Sequence, residues 1–207
     1  MAELNLELSK EENKLVEYLN YLKELAKNDP PKATLISNKG ELHASILLGS
    51  LLYLTKNKLK MYCTGLTPSL LHGNEGNDDS TAYWKVFQEF FNNRVGNFKD
   101  DHIEILVQSK QWENDPPFEV VRKSMREHPQ KIKVKVENEN SRKVVRDYWG
   151  KNESINFSIY DDNAYRLEYE PKQHIAIASL YDKKMNQELT NVFDNMYKVA
   201  DEYKPAH

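Results

Sequence analysis

Residues 33–63, ATLISNKGELHASILLGSLLYLTKNKLKMYC, hold two short apolar runs on either side of a capped apolar helix. Ala33 to Ser37 reads as a short buried strand. Asn38, followed three residues later by Glu41, has capping-box spacing at the head of a helix over about residues 40–55. Leu59 to Cys63 is a second strand, ended by Thr64-Gly65. Strand, helix and strand joined by short connections make a crossover unit, the unit from which parallel strand pairs are built.

Outward from this stretch the alternation continues. Thr67-Pro68 places a cap and a first-turn proline on a short helix, and Gly73 to Ser80 is a loop. Residues 81–94, TAYWKVFQEFFNNR, form an aromatic-rich helix in which Tyr83, Trp84, Phe87, Phe90 and Phe91 recur at helical spacing, a set wider than one buried stripe requires. Ile103 to Val107 is a third strand, Trp112 to Pro117 a turn, Phe118 to Glu127 a helix, and Ile132 to Val136 a fourth strand with period-two alternation. The C-terminal part differs: Ile155 to Tyr160 and Ala164 to Tyr169 form a hairpin around Asp161-Asp162-Asn163, His174 to Leu180 is a further strand, and Asp182 caps a helix over 183–199. The expected fold is α/β, a mixed, mostly parallel sheet flanked by helices on both faces. Upstream of Pro30-Pro31, Leu15, Tyr18, Leu19, Leu22, Leu25 and Ala26 give residues 1–30 the pattern of an appended amphipathic helix, leaving 31–207 as one α/β domain.

Composition limits the function classes. The 207 residues are 39% hydrophobic and 29% charged, and their net charge of -3 excludes a chain that is basic throughout. Ala44 to Leu54, the longest apolar stretch, is shorter than the roughly 20 residues a bilayer span needs. The single cysteine, Cys63, forms no internal disulfide, and the N-terminus shows no legible signal segment; both fit a cytoplasmic protein. His72, His102, His128 and His207 lack metal-ligand spacing, so neither metal nor other cofactor is expected.

The segment 164–197, AYRLEYEPKQHIAIASLYDKKMNQELTNVFDNMY, resembles the C-terminal part of phospholipase D-like domains. An Arg/Glu-bearing strand is followed by the strand that would carry the catalytic motif, then by an Asp-capped helix whose apolar face ends in Phe-x-x-hydrophobic-aromatic. With the element order, the likeness covers most of residues 32–199. It implies a phospholipase D-like fold, a homodimer that brings two half-sites face to face, and hydrolysis of phosphodiesters in nucleic acid or phospholipid. Catalytic members use His-x-Lys-x4-Asp, in which the His attacks phosphorus and the Lys holds non-bridging oxygens. Here the strand begins at His174, but Ala176 stands at the Lys position and Tyr181 at the Asp position, with Asp182 one residue late.

Ligands of open sheets of this kind bind beyond the carboxyl ends of the parallel strands. The candidate binding groups there are Asn38, Lys39, Gly40, His43, Thr64 and Gly65, where backbone N–H groups and the Lys39 ammonium suit a phosphate or carboxylate. The plain alternative is an ordinary cap, a solvated lysine and a half-buried histidine. Arg166, Glu168 and His174 form an expected cluster across two strands, read as a catalytic remnant or as a salt bridge on the sheet surface. Lys131, Lys133 and Lys135 share one strand face as a candidate nucleic-acid patch, or as lysines guarding an edge strand. Three functions remain. The leading one is a catalytically degenerate module that binds a phosphate-bearing ligand, a nucleic acid or a protein. The second is a phosphodiesterase or nuclease centred on His174 with Glu168 and Arg166. The third is an adaptor working through its N-terminal and aromatic helices.

Overall fold

The computed structural model describes residues 13, 16, 17, 20, 21, 24, 35–38, 41–64, 82–100, 102–108, 116–150, 155–170 and 175–204. Lys39, Gly40, Gly65, His174 and the short helix expected after Thr67-Pro68 lie outside the described residues, as does most of 1–30, of which six residues between 13 and 24 are helical.

The described chain runs β1 (Ile36–Asn38), α1 (Glu41–Leu54), β2 (Leu59–Cys63), α2 (Ala82–Glu89), β3 (Ile103–Val107), α3 (Pro116–Glu127), β4 (Ile132–Val136), α4 (Glu139–Trp149), β5 (Asn156–Tyr160), β6 (Ala164–Glu170), β7 (Ile175–Ser179), α5 (Lys183–Val199) and β8 (Asp201–Glu202). All eight strands join one mixed sheet in the order β1-β7-β6-β5-β2-β3-β4-β8. Its parallel ladders are confined to β2-β3 and β3-β4, while the other neighbours pair antiparallel, so parallel pairing is a smaller share than the alternation predicts. The physical reason is the β5-β6 hairpin, which enters beside β2 and reverses direction at each following neighbour.

Alternating side chains build a core on each face of the sheet. Leu59, Met61, Ile105, Val107, Val134 and Val136 meet α1, α2 and α3 on one side; Tyr62, Leu106, Phe157 and Leu167 meet α4 and α5 on the other. Tyr83, Trp84, Phe87, Phe90 and Phe91 are all buried in the first core, which absorbs the aromatic surplus read from the sequence. Phe90–Arg94 winds as a π-helical turn. It carries Arg94 over the end of α1, where the guanidinium donates to the carbonyls of Leu52, Tyr53 and Thr55 in the last turn and just beyond it. In the turn of the hairpin Asp161 adopts φ 50°, and its carboxylate collects the backbone N–H groups of Lys56, Asn57 and Lys58.

Candidate functional site at the strand ends

The β1, β7, β6 and β5 registers line up two rows of side chains on the α1 face. The first row is Asn38, Ala176, Glu168 and Asn156; the second is Ile36, Ala178, Arg166 and Ser158. Ala176 and Ala178 are fully buried at 0% exposure, and Asn38, Arg166 and Glu168 are buried at 1%, 4% and 4%. Arg166 Nη2 donates to Glu168 Oε1 at 2.9 Å, and Arg166 Nε reaches Asn38 Oδ1 at 3.4 Å. Asn38 is on β1, two strands from β6, a span of roughly 9–10 Å at ordinary strand spacing. The Arg166 side chain therefore crosses over β7, and two alanines leave it the room. Arg166 and Glu168 form an ion pair inside the protein, not the sheet-surface bridge read from their sequence spacing.

The pair is tied to the end of the parallel strands. Asn156 Nδ2 donates to Glu168 Oε2 at 2.8 Å. The Asn156 carbonyl in turn accepts from the backbone N–H and the hydroxyl of exposed Thr64, both at 2.9 Å, and from Gln108 Nε2 at 3.3 Å. Asn156 escaped sequence reasoning. The signal for it was a polar residue at the entry of an otherwise apolar strand, where the following residues already explain the fold.

α1 brings His43 to the same place, half-buried and close enough to Arg166 to feel its charge. Burial first, and the guanidinium second, hold its pKa below 6.5, so the imidazole is neutral at pH 7. Cys63, at the end of β2, is buried beside Glu168, and burial pushes its thiol up to about 12. A thiol of that kind is neither a nucleophile nor a metal ligand at neutral pH. Burial likewise raises Tyr83 and Tyr160, and the Tyr160 hydroxyl accepts from Ser158 at 2.8 Å. Among the described residues no group of three or more His, Cys, Asp or Glu is placed to hold a metal ion.

Asp182, one position from where a catalytic aspartate would stand, accepts from the Met185 backbone N–H at 3.0 Å as the N-cap of α5. Lys131 lies 3.0 Å from Asp100, while Lys135 lies 2.9 Å from Glu202 and its ammonium sits 5.0 Å over the Tyr197 ring. Lys133 is exposed between them. Two-residue β8 covers the outer edge of β4 at Lys135 and Val136, so Lys135 does not line an open edge. Arg122 and Arg126 belong to α3, across the sheet from Lys135, and both pair with Glu119. Arg122 and Arg126 thus lie on the opposite face of the sheet from Lys135 and do not extend the lysine patch. No described helix is long and apolar enough to cross a membrane.

No protein-family model and no curated protein sequence matches this chain. Among solved structures it is similar to Nuc from Salmonella typhimurium, a phospholipase D family member, at 10% identity and TM-score 0.50, covering 84% of this chain and 100% of that one. It is similar to NucT from Helicobacter pylori at 9% identity and TM-score 0.52, covering 83% of this chain and 100% of that one. It also matches TrmBL2, an archaeal chromatin protein, at 12% identity and TM-score 0.48; 92% of this chain is covered, and it spans 62% of TrmBL2. At these identities the likeness to Nuc and NucT establishes the fold alone, which is phospholipase D-like.

Proposed function

We propose that this chain is a phospholipase D-like module that binds a phosphate-bearing ligand at the strand-end crevice without hydrolysing it. The observation that carries the reading is the row Asn38, Ala176, Glu168 and Asn156. At the position that the resemblance assigns to the phosphate-holding lysine this chain has Ala176, fully buried opposite Glu168, and the Arg166 side chain crosses the same strand to reach Asn38. Hydrolysis requires a cation free to steady the non-bridging oxygens as charge builds on phosphorus. Arg166 is already engaged by Glu168, and Asp182 is engaged as a helix cap. The Arg166 guanidinium and the Asn156 amide, both held by the Glu168 carboxylate, are donors of the kind that hold an anion. The ion pairs of Lys131 and Lys135 favour the crevice over the β4 face as the place of binding.

Hydrolysis of a chromogenic phosphodiester and of labelled single- and double-stranded DNA and RNA tests the reading, with binding followed in the same samples by fluorescence anisotropy. The expected outcome is binding without turnover, weakened at least tenfold by Arg166→Gln or Lys39→Ala. Turnover that His174→Ala abolishes overturns it in favour of a variant phosphodiesterase. The homodimer is part of the proposal and rests on the family likeness, since the aromatic set of α2 is used within its own core; light scattering on the purified chain decides it. The same burial removes the aromatic surface on which an adaptor role for α2 depended.

A further inference from the structure

We infer that Glu168 holds the anion position beside Arg166 as an internal stand-in, so that a phosphate-bearing ligand enters the crevice only by displacing its carboxylate. The inference rests on the crevice being the phosphate site proposed above. Two donors from different strands converge on the two oxygens of Glu168: Arg166 Nη2 on Oε1 at 2.9 Å, and Asn156 Nδ2 on Oε2 at 2.8 Å. A guanidinium and a carboxamide set around two oxygens match two non-bridging phosphate oxygens as well as they match a carboxylate. Both side chains of the ion pair are only 5% exposed, so a second anion added to the occupied pair would place two negative groups on one cation away from water. Exchange avoids that arrangement. Asn156 links the carboxylate to exposed Thr64 at the end of β2, which makes that side the one a ligand would enter from.

Neutralising the stand-in should therefore create an open anion site. The full chain is titrated with inorganic phosphate by calorimetry, as wild type, as Glu168→Gln, which keeps the shape and removes the charge, and as Glu168→Asp, which keeps the charge and shortens the reach. Glu168→Gln is expected to bind phosphate at least tenfold more tightly than wild type, with Glu168→Asp in between, and Arg166→Gln added to Glu168→Gln should cancel the gain. Parallel titrations with a single-stranded oligonucleotide and with anionic phospholipid vesicles identify the source of the phosphate by which gain is larger. A folded Glu168→Gln with wild-type phosphate affinity overturns the inference, as does failure of both variants to fold, which would make the carboxylate purely structural. Where Glu168→Gln does not fold, wild-type affinity in Glu168→Asp overturns it. A gain in the variants alongside a wild type that binds no phosphate-bearing ligand supports the stand-in and removes the proposed function. Arg166-dependent binding by wild type with no gain in the variants does the reverse.

Discussion

Arg166 and Glu168 show how little a residue's sequence neighbourhood says about its surroundings. Alternation places both on one strand face, which was legible; that the face is covered by α1, which makes the pair an interior one, was not. Burial sets the energetics. Removing one member leaves the other charged and desolvated, so Arg166→Ala is expected to cost about 3–5 kcal/mol in urea denaturation, while an Arg166→Met and Glu168→Leu double variant recovers most of the loss. A double variant as unstable as the single would show that the pair itself, beyond its charge balance, holds the strands. His43 gives a pH-dependent counterpart. Its pKa is lowered in the folded chain, so below about pH 6.5 the unfolded chain takes up a proton that the native one resists, and stability falls as pH drops. In His43→Gln, the loss of unfolding free energy between about pH 6.5 and 5 should be smaller than in wild type; identical slopes would mean the imidazole is freely solvated. Cys63, with its thiol pushed up to about 12, should resist alkylation at pH 8 until the protein unfolds.

At the scale of elements, most of the regular structure was legible and the exceptions have physical causes. β2, β3 and β4 begin and end where their apolar alternation does, and α5 spans the residues between its Asp182 cap and the end of its apolar stripe. α4 was missed. Its capping box uses Asn138 with Ser141 in place of the more familiar Glu or Gln, and its apolar face is only Val144, Val145 and Trp149 amid charge, with Gly150 in the left-handed conformation as the stop. β8 was missed because two residues carry no period. The aromatic helix was expected to run unbroken to Arg94, but Phe90 to Arg94 widen into a π turn, which lets Arg94 face the end of α1. That turn has a testable consequence. Arg94→Ala leaves the Leu52, Tyr53 and Thr55 carbonyls without their shared donor, at an expected cost of about 1–3 kcal/mol, and Arg94→Lys restores less than half because one ammonium cannot span what the fork spans. Denaturation midpoints for the two variants measure this, and equal values for Arg94→Lys and wild type would refute the role given to the fork.

The order of the whole sheet, unlike its strands, is not written in any local pattern. Nothing in 33–38 shows that the first strand will lie at the far edge beside the seventh, yet that placement sets Asn38 within reach of Arg166 and puts Ala176 between them. The resemblance puts Ala176 where the family's lysine would stand, and what a lysine would meet at that position depends on the assembled sheet. A lysine at 176 would rise from β7 opposite Glu168 and next to the crossing Arg166 side chain, two cations sharing one buried carboxylate in a row where the alanine is 0% exposed. Ala176→Lys is therefore expected to destabilise by at least about 3 kcal/mol and to bring no phosphodiester hydrolysis. If Arg166 is also shortened to Ala, the new ammonium gains the space and Glu168 as its partner. The two changes should then be coupled favourably by more than about 1 kcal/mol, where distant sites would add within about 0.5 kcal/mol. A double-mutant cycle in urea denaturation measures this coupling. Strict additivity would mean that Arg166 does not cross over β7 and that the empty lysine position is no consequence of its path.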